Sequence, residues 1–135
     1  MLAADTVVVV DGELLGKPRD PADAGRMLRR IAGREHTVLS GVALLESDGA
    51  RSPARTAARV EASRVTMAPL EDGDIAWYVA TGEPLDKAGS YAVQGLGALF
   101  VESIAGNYTN VVGLPLPATC RLFRELGYDL LDFRK

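Results

Sequence analysis

The 135-residue sequence predicts an α/β domain in which a central mixed sheet is flanked by helices. Three observations predict it. The runs VVVV, TVLSGVALL and ARVEASRVTM have the β-branched, apolar character of strands. Segments with helix caps and apolar residues at helical spacing alternate with them. No repeat, low-complexity tract or linker interrupts the pattern, so residues 1–135 read as one domain of packed layers.

The first strand is Val7 to Val10, with Asp5 and Thr6 at its leading edge. Asp11-Gly12 signals a turn, and Glu13-Leu14-Leu15 returns as the second arm of a hairpin. Asp20 then caps a helix with Pro21 at its first position. Ala24, Met27, Leu28 and Ile31 form its apolar stripe and Gly33 ends it. Arg26, Arg29, Arg30 and Arg34 fall largely off that stripe, on a solvated face. Strands from Thr37 to Leu45 and from Ala57 to Met67 follow, joined by the loop ESDGARSPAR. An acidic start at Glu71 to Asp74 opens a second helix, which carries Ile75, Trp77, Tyr78 and Val79 and stops at Gly82. GEPLDKAGSYAVQGLG, dense in glycine and polar groups, reads as a functional loop. Ala98 to Ile104 is a strand, Gly106-Asn107 a turn, and a last helix runs from Pro117 to Leu126 and closes at Gly127.

Bulk properties exclude several functions. A net charge of −3 leaves no excess of positive charge to displace counterions, which argues against non-specific binding to nucleic acid or to an anionic membrane. The apolar stretch Thr6 to Val10 is too short to span a bilayer and lacks the flanks of a signal peptide, which places the protein in the cytoplasm. Cys120, the one cysteine, cannot make an internal disulfide and reads as a small packed helix residue. His36, the one histidine, reads as a packed or capping residue.

Familiar motifs fail on chemistry. Gly12-Glu13-Leu14-Leu15-Gly16-Lys17-Pro18 has three residues between its glycines where a phosphate loop needs four, and proline follows the lysine where that loop needs Ser or Thr for magnesium. Gly95-Leu96-Gly97 lacks the third glycine and helix of a dinucleotide fingerprint. What remains is oxygen chemistry: Asp5, Glu83 and Asp86 as carboxylates, with Lys17 and Lys87 as cations. Such carboxylates hold a divalent metal, Mg2+ or Mn2+, together with substrate phosphates, or orient a water as general base, while the lysines balance polyphosphate charge. Asp5 as a turn residue and Lys17 as a solvated side chain are equally consistent with the residues alone.

Three blocks carry a resemblance. ADTVVVVDGELLGKP, then ARVEASRVTMAPL, then YVATGEPLDKAGSYAVQGLGALFVESIAGNYTNVVGLPL resemble, in that order, the Maf family of nucleotide pyrophosphatases, also named septum-formation inhibitors. The resemblance covers practically the whole chain. It implies a Maf-type α/β fold with the nucleotide in a cleft, and hydrolysis of a nucleoside triphosphate between its α- and β-phosphates with a divalent metal. It implies that Asp5 is the proton acceptor and that Lys17 and Lys87, in the GKP and DKAG elements, bind substrate. Thr6 and Gln94 match the subfamily acting on dTTP and UTP, and both side chains offer the donor and acceptor pairs that a uracil or thymine edge needs. An ordinary strand threonine and an ordinary loop glutamine fit the same positions. A homodimer is the association the family implies.

The family also implies an earlier strand, a Ser-x-Ser-Pro-Arg-Arg loop and a helix before the Asp-Thr pair. These are absent from the sequence, and Arg51-Ser52-Pro53-Ala54-Arg55 stands in the wrong place without adjacent arginines. The expectation is therefore an N-terminally truncated domain whose activity belongs to a longer chain, the alternative being a short non-catalytic nucleotide-binding or interaction module linked to cell division.

Overall fold

Strand pairing extends well beyond the apolar runs. A computed structural model describes residues 1–47 and 55–133, and most of the loop expected at 46–55 lies outside them. Five strands, β1 (Leu2–Val10), β2 (Glu13–Leu15), β3 (Glu35–Glu46), β4 (Arg55–Met67) and β5 (Val101–Ala105), lie in the order β2-β1-β3-β4-β5. The expected α/β layering of helices on a central sheet holds. The sheet expected as mixed is antiparallel at each of these pairings, because β1–β2 and β3–β4 are hairpin neighbours and β1–β3 also run in opposite directions.

Alternation along β3 decides where the core lies. His36, Val38, Ser40, Val42 and Leu44 are buried on one face, while Thr37, Leu39, Gly41 and Ala43 are half-buried or exposed on the other. Helix α1 (Pro21–Ile31) supplies Met27, Leu28 and Ile31 to a cluster with Val8, Val38 and Val65. Helix α2 (Asp72–Ala80) adds Ile75 and Tyr78 to the same cluster. Further along the same face of β3, Leu122 and Leu126, in and just after α4 (Leu116–Glu125), close on Val42 and Leu44. Each fully buried Leu or Ile contributes roughly 1.5–3 kcal/mol, so these two clusters are the main favourable term holding the layers together.

The caps follow the reading of the residues. The Asp20 carboxylate accepts the Asp23 amide at 2.7 Å, and Glu71 and Asp74 form a reciprocal capping box on α2. Three differences matter for the site. First, β1 begins at Leu2 rather than Val7, because its pairing with β3 continues to Leu2 opposite Leu44. Asp5 and Thr6 thus sit inside a strand. Second, residues 96–100 form a 3-10 turn and β5 starts only at Val101. Phe100 is held there by edge-on contacts with Trp77 and Tyr78 and by its carbonyl, which accepts the Ala68 amide. Third, Asn107 is the N-cap of a short helix, α3 (Tyr108–Val112), where only a turn is expected.

The α1 arginines are more than a solvated face. Arg26 and Arg30 both reach Glu13, Arg26 also reaches Asp23, and Arg34 reaches Asp11. Arg26 and Arg30 tie the helix to the β1–β2 hairpin and Arg34, just beyond the helix, does the same, although exposure to solvent keeps the contribution of each pair small.

Candidate functional site

Strand β2 pairs only with Val8–Val10, so the first half of β1 has no strand beside it on that side among the described residues. A cleft of about 480 Å³ opens there. Its lining includes Asp5, Thr6, Lys17, Glu83, Asp86, Lys87 and Gln94, so every residue expected at the site faces one cavity. The volume suits a ligand of nucleotide size.

Asp5 and Thr6 occupy the open stretch of β1. Asp5 Oδ1 accepts the Thr6 amide at 2.9 Å, which satisfies an N–H that a further strand would otherwise take. One carboxylate oxygen is thereby held by the strand's own backbone. Thr6 Oγ1 meets Ser40 Oγ at 2.8 Å and donates weakly to the Gly113 carbonyl at 3.3 Å. Its hydroxyl therefore joins the strand to the segment after α3 as well as facing the cleft.

The lysines come from two turns that touch. Gly89 N–H donates to the Gly16 carbonyl at 3.1 Å, joining the DKAG turn to the GKP turn. Gly89 has a φ of +70°, and a Cβ there would lie 2.6 Å from Val8 Cγ2, so only glycine lets the turns close on β1. Lys87 pairs with Asp86 at 2.8 Å, and this hydrogen bond, helped by the charge of Lys87 itself, holds the Asp86 carboxyl below its usual range.

Glu83 behaves differently from the other acids. Its Oε1 accepts the Leu96 amide at 2.9 Å, and its Oε2 accepts the Gly97 amide at 2.9 Å and the Tyr78 hydroxyl at 2.5 Å. Burial opposes its ionisation, but the Tyr78 hydroxyl and the two amides outweigh burial and hold the carboxyl below its usual range. Burial first, and the Glu83 partner second, push the Tyr78 phenol well above its usual value.

Three carboxylates line the cleft and differ in how far their oxygens are engaged. Among the described residues no three His, Cys, Asp or Glu side chains converge as a metal site, and Glu83, expected as a ligand beside Asp5 and Asp86, has both oxygens committed to the backbone and Tyr78. Asp5 and Asp86 remain as hard oxygen donors, which suits an ion held by one or two carboxylates and completed by substrate phosphates, the usual habit of magnesium.

The remaining wall is a buried polar network. Asn110, fully buried, places the two hydrogens of Nδ2 within reach of Val38 O, Glu61 O and Ser63 Oγ, while its backbone carbonyl accepts the Ser40 hydroxyl at 3.2 Å. It anchors α3 on the sheet and sets Val111 to Gly113 against the cleft. On the other side Tyr91 lines the cavity, and its hydroxyl lies 2.6 Å from His36 Nε2. Burial lowers the His36 pKa to about 4, so the ring is neutral at pH 7.

A protein-family comparison decides the lineage: the model of Maf-like proteins matches residues 1–126. The chain belongs to the Maf family. Curated relatives agree. The chain is similar to a protein of Anaeromyxobacter dehalogenans named dTTP/UTP pyrophosphatase, 52% identical over 130 residues, covering 96% of this chain and 66% of the relative. Proteins of the same name from Symbiobacterium thermophilum and Dictyoglomus thermophilum are 50% and 49% identical, covering 96% and 97% of this chain and 64% and 66% of their own lengths. The chain thus spans a little under two thirds of the length of these relatives.

In this Maf-family chain, sequence reasoning missed Tyr91, Asn110, and the Val111–Gly113 wall. A signal existed for one of them. Asparagine is a favoured helix N-cap, and reading Gly106-Asn107 only as a turn concealed the helix that it opens. His36 and Tyr91 are 55 residues apart, and no local pattern announces their contact.

Proposed function

We propose that this chain is the nucleotide-binding body of a pyrophosphatase that hydrolyses dTTP or UTP to the monophosphate and pyrophosphate. The observation that carries the reading is the gathering of Asp5, Lys17, Lys87 and Gln94, from separate stretches of sequence, around one cleft of nucleotide size. Relatives about half identical over almost the whole chain bear the name dTTP/UTP pyrophosphatase.

In this reading Asp5 Oδ2 takes a proton from water as the water oxygen bonds to the α-phosphorus. The bridge between α- and β-phosphates breaks, and pyrophosphate leaves with the electron pair of that bond. Lys17 and Lys87 balance the charge of the phosphates. Gln94, with Thr6 beside Asp5, reads the pyrimidine edge. Asp5 and Asp86 would hold Mg2+ or Mn2+, which supplies further charge neutralisation on the phosphates when bound. A cytoplasmic protein acting on the nucleotide pool fits this chemistry, and no described helix is long and apolar enough to cross a membrane. Self-association as a homodimer and a link to septum formation belong to the same family reading.

The test is pyrophosphate release from UTP and dTTP with magnesium, for the chain and for Asp5→Asn. Asp5→Asn is expected to lower turnover by about 10²–10⁴-fold with UTP affinity retained. Release from neither nucleotide by the unmutated chain or by a version of it extended upstream, or normal turnover by Asp5→Asn in the active form, overturns the reading.

A further inference from the structure

Gln94 is exposed, on a loop without regular hydrogen-bond ladders, yet a residue that discriminates one base edge from another must be held to within about 0.5 Å. Four hydrogen bonds supply that constraint. Glu83 accepts the amides of Leu96 and Gly97, two and three residues after Gln94, and the hydroxyl of Tyr78. The same hydroxyl accepts the amide of Ala92, two residues before Gln94, at 3.0 Å. One carboxylate and one phenol therefore gather both ends of a six-residue arc whose centre presents the glutamine.

The glycines of the loop record the same constraint. Neither Gly95 nor Gly97 has a positive φ, so backbone freedom does not require glycine at either position. Space does. A Cβ on Gly95 would lie 2.1 Å from Glu83 Oε1, and a Cβ on Gly97 would lie 2.5 Å from the Ala92 carbonyl and 2.6 Å from the Tyr78 hydroxyl. The loop is shaped around the carboxylate and phenol.

We propose that Glu83, locked by Tyr78, is a positioning residue that sets the nucleobase selectivity of the cleft by fixing the arc that presents Gln94, and that it holds neither metal nor phosphate. This rests on the pyrimidine reading of Gln94. The amide of a Glu83→Gln variant would turn a donor toward one of the two backbone N–H groups that the carboxylate accepts, so at least one of those bonds is lost with little change in shape. Tyr78→Phe removes a single hydroxyl and serves as the milder variant should Glu83→Gln fold poorly.

The experiment measures binding of UTP, CTP and magnesium tripolyphosphate, together with amide hydrogen exchange, for the chain and both variants. Glu83→Gln is expected to speed exchange at residues 92–97 at least tenfold while exchange in β3 is unchanged. It is expected to weaken UTP binding about tenfold and erase the preference over CTP, leaving tripolyphosphate affinity unaltered. Tyr78→Phe should move each quantity in the same direction by less. A preference for UTP that survives Glu83→Gln, unchanged exchange at 92–97, or altered tripolyphosphate affinity each overturns the proposal while leaving the pyrimidine reading intact. An unmutated chain that binds UTP no better than CTP overturns both.

Discussion

The two sides of the cleft are built on opposite principles. The wall formed by Tyr91, Gln94 and Val111–Gly113 rests on hydrogen bonds that are wholly or partly buried: between His36 and Tyr91, from the Ala92 and Gly97 amides to Tyr78 and Glu83, and from Asn110 to the sheet. The turns bearing Lys17, Asp86 and Lys87 keep their charged heads largely in solvent, and a peptide hydrogen bond from Gly89 to Gly16 links one turn to the other. Buried polar groups specify a geometry because leaving one unsatisfied is expensive. Exposed charges attract phosphate without needing a fixed position, and they lose little when a neighbour changes. Recognition of a base demands the first principle, and neutralisation of a flexible polyphosphate is served by the second.

This contrast predicts where mutations register. Asn110→Ala should destabilise the fold by about 3 kcal/mol, since it removes the Nδ2 donor that serves Val38, Glu61 and Ser63 and leaves a cavity, as urea denaturation will measure. A loss below about 1 kcal/mol would erase the contrast. The His36–Tyr91 contact is next. The folded state holds the imidazole pKa at about 4 while the unfolded chain accepts the proton near 6.5, so stability falls as pH drops between those values and levels off below them. About 2 kcal/mol should disappear between pH 7 and pH 5, and His36→Gln should remove that slope. A slope that persists in the variant would assign it to other groups. Smallest in stability is Lys17→Ala, expected within about 0.5 kcal/mol of the parent chain while UTP binding weakens about tenfold. Equal stability losses for Lys17→Ala and Asn110→Ala would show that both sides of the cleft are built alike.

The same division governs what the amino-acid order discloses. Strands, caps and helix ends were legible because each depends on neighbours within a few residues: Asp20 before Pro21, Asp11-Gly12 between two apolar arms, Gly127 after α4. The charged side of the site was legible too, since Asp5, Lys17, Asp86 and Lys87 bear their chemistry openly and lie in short motifs. The buried side was not. Asn110 finds its partners at Val38 and Glu61, and Glu83 reaches forward past an entire turn to Leu96 and Gly97. As an acid among acids Glu83 invites a metal assignment. Only the fold shows that its oxygens are already occupied. Likewise the start of β1 depends on Leu44 opposite Leu2, and the apolar run at Val7 to Val10 contains no trace of that pairing.

Strand β1 also serves the site as a ruler. Asp5 and Thr6 are fixed marks on it, and Val8, two residues on, is the surface against which Gly89 stops. Val8 pairs with Leu15, whose successor Gly16 supplies the carbonyl that latches Gly89. Asp5 and the two turns that bear the lysines are therefore all referred to one strand. A slip of one residue in the ladder to β3 would turn Asp5 toward the core and Thr6 away from Ser40, so the hydrophobic alternation that fixes register also decides which side chains of β1 open to the cleft.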